Sequence, residues 1–149
     1  MCRLMIDTNI LMDVIDITRP QHNQARDLFD RCNGWGDFGM ACALSFKDVY
    51  YLASKQYGQQ TARNIVKQLM GLLVIAPVDA EVCDLALNSN EPDFEDGIIR
   101  ACAELNDADF IITRDKAAFA NSKVRSVDAA EYLQIARAND IGYPWDQKQ

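Results

Sequence analysis

Short apolar runs alternate along this chain with stretches of helical spacing. Leu4–Ile6, MACAL at residues 40–44, LLVIAP at 72–77, DFIIT at 109–113 and VRSV at 124–127 read as five short strands. Most are near-continuous runs, the pattern of strands buried on both faces. Between them apolar residues recur at i, i+3, i+4 and i+7. Ala25, Leu28, Phe29 and Cys32 mark one helix, and Gly34–Gly39 reads as the loop after it. Ser45 is positioned to cap a second helix with Phe46, Val49, Tyr50, Ala53 and Tyr57 inward. Ala62, Ile65, Val66 and Leu69 mark a third, ended by Gly71; Val82, Leu85 and Ala86 mark a short fourth. Ile98, Ile99, Cys102 and Leu105 face inward on a fifth, with Arg100 and Glu104 paired outward at i,i+4. Ala129, Tyr132, Leu133 and Ala136 mark the last.

Strands alternating with helices predict an α/β fold, with a mostly parallel sheet of five strands covered on both faces. With 149 residues, 49% of them apolar, one domain with a real core is expected. Residues 1–136 carry the pattern, and 137–149 form a polar tail relieved only by Tyr143 and Trp145. No run approaches the roughly 18 apolar residues of a membrane span, and the N-terminus lacks a signal-peptide pattern. Five cysteines without a CxxC pair argue for reduced thiols and a cytoplasmic location. A single histidine, His22, in the polar lead-in PQHNQ makes a zinc site unexpected.

Charge changes the picture. The net charge of −7, from 15 basic and 22 acidic side chains, is wrong for a generic nucleic-acid binder. Arg114, Lys116, Lys123 and Arg125, however, bunch beside a late aspartate and could form a local positive rim. Four aspartates stand where strands give way to loops or helices begin. Asp7 follows the first strand and Asp115 the fourth; Asp48 and Asp96 fall in opening turns of predicted helices. In a parallel sheet such positions converge on one edge. At about 5 Å and an effective dielectric of about 20, each ionised pair costs roughly 3 kcal/mol. A hard divalent cation in the gap offsets that cost.

Each acid has an ordinary alternative. Asp7 and Asp115 can each cap the helix or turn next along the chain, and Asp93 with Asp96 resembles a capping box. Four independent aspartate caps on one sheet edge is nevertheless a less economical account than one cation site. Thr8, Asn9 and Thr113 suit hydrogen bonds that orient carboxylates, or plain turn formation. Tyr51 lies off its helix's buried stripe and can face the cleft.

Four segments, LMIDTNILMDV, SFKDVYYLA, DFEDGIIRACAEL and DFIITRDKAAF, together resemble the acidic motifs of PIN-domain ribonucleases, most closely the small VapC-type toxins. The resemblance covers residues 2–136 with the motifs in order. It implies a three-layer α/β/α fold and a Mg²⁺- or Mn²⁺-dependent endoribonuclease. On it, Asp7, Asp96 and Asp115 align with metal-binding acids, and Asp48 takes the second acidic position, commonly glutamate in relatives. Aspartate has a shorter reach, so Glu95 is the substitute should Asp48 fall short. Arg114 and Lys116 are candidates for phosphate contacts, and water is the expected nucleophile.

The resemblance also implies an RNA substrate, a small antitoxin partner that covers the cleft, and a homodimer. Two other classes stay open: a PIN fold that binds RNA or protein without cutting, and a phospho-receiver-like domain. The receiver lacks support in the absence of adjacent paired acids after the first strand.

Overall fold

The computed structural model describes residues 1–34, 36–91 and 93–140. Five strands form one sheet: β1 (Arg3–Ile6), β2 (Phe38–Cys42), β3 (Val74–Ala76), β4 (Phe110–Ile112) and β5 (Arg125–Val127). Their order is β3-β2-β1-β4-β5 and every pairing is parallel, with Met5 level with Met40 on one side and Ile111 on the other.

The near-continuous apolar runs have their physical reason in two separate cores. Leu4, Ile6, Ala41, Ile112 and Val127 point to one face. There they meet α1 (Thr8–Ile15), α2 (His22–Asn33), α3 (Ala43–Tyr57), α4 (Gln59–Leu72) and α7 (Ala129–Asp140). Met5, Met40, Cys42, Ala76 and Ile111 point to the other, against α5 (Ala80–Asn88) and α6 (Phe94–Leu105). Alternation within each strand feeds both layers, which gives the three-layer α/β/α sandwich. Gly97 lets α6 lie close on α5: a Cβ there would sit 3.2 Å from the Ala86 carbonyl oxygen. No helix among the described residues is long and apolar enough to cross a membrane.

Several boundaries depart from the sequence reading. The helix α1 goes unmarked in the sequence because its eight residues make barely two turns, too few to establish a period. Strand β2 begins inside the expected loop, at Phe38. It ends at Cys42, the N-cap residue of α3, so Ser45 lies within the first turn rather than capping it. Asp48 is thereby moved out of the opening turn, where α3 has no acid. Leu85, Leu105 and Tyr57, expected inward, are exposed. Arg100 does pair with Glu104, but also with Glu91 and the Asn121 carbonyl, so it is tied down rather than solvated. The last helix runs through Asp140, beyond the expected boundary at 136. Tyr143 and Trp145 lie outside the described residues.

Sheet order positions the site. From β1 the chain moves outward to β2 and β3, then returns on the opposite face to β4. A crevice therefore opens past the carboxyl ends of β1 and β4, where ligands of open parallel sheets bind.

Candidate functional site

Asp7 leaves the end of β1 in an extended conformation and caps α1, its Oδ1 accepting the Thr8 N–H at 2.8 Å. Its own N–H donates to the Ile112 carbonyl at 2.9 Å, so it stands beside the end of β4. There the fully buried Thr113 donates its hydroxyl to Asp7 Oδ2 at 2.8 Å. The same hydroxyl oxygen accepts the N–H of Asp115 at 3.0 Å. One threonine thus fixes a carboxylate and the backbone of a second acid. Asp115 in turn caps the 3₁₀ turn Lys116–Phe119, Oδ1 accepting from the Ala118 N–H at 3.2 Å.

The third acid comes from α6. Asp93 caps that helix, accepting the N–H groups of Glu95 and Asp96. Asp96, in the first turn, is half-buried and faces the same crevice. The fourth, Asp48, arrives from α3 and lines the cleft with Glu95, while Lys47 Nζ lies 3.2 Å from its Oδ1. Thr8 donates its hydroxyl to Ser45 at 2.9 Å and so ties the starts of α1 and α3 together.

The result is a cleft of about 320 Å³ lined by Asp7, Thr8, Asn9, Asp48, Tyr51, Leu52, Glu95, Asp96, Ile99 and Asp115. A larger depression of about 680 Å³ lies along α4, among Asn64, Lys67, Gln68, Gly71 and Leu72, and holds no acid or nucleophile. Chemistry, not size, marks the acidic cleft.

Its electrostatics follow from crowding. Burial raises the pKa of Asp7, against hydrogen bonds from Thr113 and Thr8 that lower it. Asp96 is pushed up to about 6, first by desolvation and then by the charges of Asp93, Asp7 and Asp115. Glu95 is pushed up to about 7, first by hydrogen bonding toward Asp48 and then by desolvation. Carboxyls packed this way either take up protons or gain from a cation among them. The donors are hard oxygens, the chemistry Mg²⁺ and Mn²⁺ select. As the side chains stand, no three acidic, histidine or cysteine groups among the described residues are near enough to grip an ion directly. A crevice lined by hard oxygen donors suits an ion that keeps several of its own waters.

Of the residues singled out in the sequence, Asp7, Asp48, Asp96, Asp115, Thr8, Asn9 and Glu95 meet in the cleft, and Thr113 lies beneath it. Arg114 and Lys116 line no part of it. Arg114 Nε is 3.2 Å from Asp13 Oδ2, and Lys116 pairs with Glu131. Sequence reasoning passes over Asp13, which is fully buried in α1. Its setting in the otherwise apolar NILMDVI is the available signal. Leu52 and Ile99 also line the cleft unanticipated.

Solved structures that share the fold include toxins of toxin–antitoxin pairs. The VapC20 toxin of Mycobacterium tuberculosis, which cleaves the sarcin-ricin loop, matches with TM-score 0.65 and 13% identity, over 80% of this chain and 95% of that one. DNA-bound VapBC from Salmonella typhimurium gives TM-score 0.64 and 16% identity, over 87% and 99%. A toxin–antitoxin complex from Klebsiella pneumoniae gives TM-score 0.64 and 21% identity, over 85% and 97%. No curated protein sequence matches the chain. The model of the PIN domain matches residues 3–117, and this chain accordingly belongs to the PIN domain family.

Proposed function

We propose that this protein is a divalent-metal-dependent endoribonuclease acting in the cytoplasm as the toxin of a toxin–antitoxin pair. One observation carries the reading: Asp7, Asp48, Asp96 and Asp115, from four distant segments, line one cleft at the switch point of a PIN fold. That solved relatives in fold include toxin–antitoxin complexes supports a small antitoxin that covers the cleft. A homodimer is part of the same reading.

Asp7, Asp96 and Asp115 are the residues that would hold the ion, Mg²⁺ or Mn²⁺. When bound, such an ion supplies acidification of a water and charge stabilisation at a phosphoryl group. The chain's own contributions are positional. Thr113 and the Thr8 N–H hold Asp7 in one orientation, and Thr113 fixes where Asp115 begins. Glu95, pushed up to about 7 beside Asp48, gives the rim a group able to accept or release a proton near neutral pH. Ile99 and Leu52 wall the cleft with apolar surface and strengthen the electrostatics inside.

The test is cleavage of a structured RNA by purified protein with Mg²⁺, with EDTA, and with Asp7→Asn or Asp96→Asn substituted. Cleavage that needs the metal and disappears in both variants, while circular dichroism stays unchanged, is the expected outcome. Full cleavage by Asp96→Asn protein overturns the assignment. A second reading, a PIN fold that binds without cutting, is favoured by Asp48, whose Oδ1 is already paired with Lys47 Nζ at 3.2 Å. Calorimetric metal titration beside the cleavage assay separates the two, since that reading predicts binding without turnover.

A further inference from the structure

With Arg114 turned to Asp13 and Lys116 to Glu131, the cations expected beside the cleft are engaged elsewhere. The helix that carries Asp48 supplies others. Lys47, Tyr51 and Lys55 come at intervals of four residues on α3, so they form one line on a single helix face. The line runs about 12 Å along the axis. Tyr51 lines the acidic cleft and yet keeps 54% of its surface exposed. Lys55 Nζ sits 4.3 Å from the centre of its ring, and Lys47 is largely exposed beside Asp48.

An exposed aromatic ring flanked by two cations, continuous with a catalytic cleft, has the composition of a single-strand platform. Bases stack on rings without regard to sequence, and cations meet the backbone on either side. A lysine over one face of the ring leaves the other for a base. The negative charge of the cleft makes such a strip necessary, because a polyanion entering it must be held by cations outside.

We infer that the Lys47–Tyr51–Lys55 face of α3 binds the RNA strand next to the scissile phosphate, an unpaired base stacking on Tyr51 and phosphates resting on the two lysines. The inference rests on the nuclease reading and adds the residues that hold the strand beside the cut.

The experiment measures binding apart from cleavage. Asp96→Asn protein with Mg²⁺ is titrated into a fluorescein-labelled single-stranded oligoadenylate and monitored by anisotropy at several salt concentrations. Tyr51→Ala in that background weakens binding about tenfold, whereas Tyr51→Phe stays within about twofold, since stacking needs the ring and not the hydroxyl. Lys47→Gln with Lys55→Gln lowers the slope of log affinity against log salt by about 1.4, or about 0.7 per phosphate contact on a single strand. Tyr51→Ala binding as tightly as its parent overturns the inference and leaves the nuclease reading standing. Tyr51→Phe failing as badly as Tyr51→Ala also overturns it. Absence of RNA binding by the parent protein overturns both.

Discussion

Thr113 and Asp7, 106 residues apart in sequence, are joined by a 2.8 Å hydrogen bond from the threonine hydroxyl to the carboxylate Oδ2. The bond links the ends of β1 and β4, which lie side by side only because the sheet order puts β1 between β2 and β4. Since the Thr113 oxygen also accepts the Asp115 N–H, the side chain orients two acids of the cleft at once.

Thr113→Val keeps the shape and deletes both bonds. It leaves a buried carboxylate oxygen and a backbone N–H without partners, which costs about 1–3 kcal/mol. Cleavage falls by about 10- to 100-fold, the usual effect of losing a group that orients a metal-binding side chain. Thr113→Ser restores most of both. Urea midpoints and RNA cleavage rates read the two effects; a Val variant equal to wild type in both would show that the bond orients nothing.

The crowded acids also set a pH dependence. An acid whose folded pKa lies above its unfolded value holds its extra proton in the folded state, so stability rises as pH falls through the folded pKa. Asp96 moves from 3.8 to about 6 and Glu95 from 4.5 to about 7. Asp16, Glu104 and Glu131 shift the opposite way from ordinary carboxyl values, and what they contribute is lost only at lower pH. In EDTA the melting temperature therefore rises as pH falls from about 7.5 to about 5. Added Mg²⁺ stabilises the charged forms and flattens the trend, and Glu95→Gln flattens part of it without metal. A melting temperature that drops steadily across that interval contradicts the picture of mutual repulsion.

Local pattern carries much of this. The five strands are short and apolar because both faces are covered. Asp7, Asp96 and Asp115 meet because a parallel sheet sends element boundaries to one edge, with Asp48 reaching it from the second turn of α3. What local pattern cannot carry is pairing between distant charges. Nothing near Arg114 announces Asp13, nor does anything near Lys116 announce Glu131. In the sequence both cations look free to face a substrate for that reason. The helix α1 escapes because it is eight residues long, too short for periodicity to separate it from a loop.

Asp13 itself leads to the last expectation. It is fully buried, with Arg19 Nη1 3.4 Å from Oδ1 and Arg114 Nε 3.2 Å from Oδ2. The second contact is an ion pair without hydrogen-bond geometry, and Oδ2 has no donor aligned on it among the described residues. Arg114→Ala thus removes charge compensation more than a hydrogen bond. The cost is about 1–3 kcal/mol, below the 3–5 kcal/mol of roughly complete orphaning, because Arg19 stays. Asp13→Asn in the same chain removes the charge that needed compensation, so the double variant recovers part of the loss. A coupling of about 0.5–3 kcal/mol is expected from urea midpoints of the four proteins. Lys116→Ala, which breaks only an exposed pair with Glu131, leaves the midpoint unmoved. Arg114 stands between Thr113 and Asp115, so freeing it loosens the turn that presents Asp115 and cleavage falls with stability. Additive midpoints in the cycle would mean that Asp13 is compensated by Arg19 alone, and that Arg114 turns away from the cleft for a reason other than this charge.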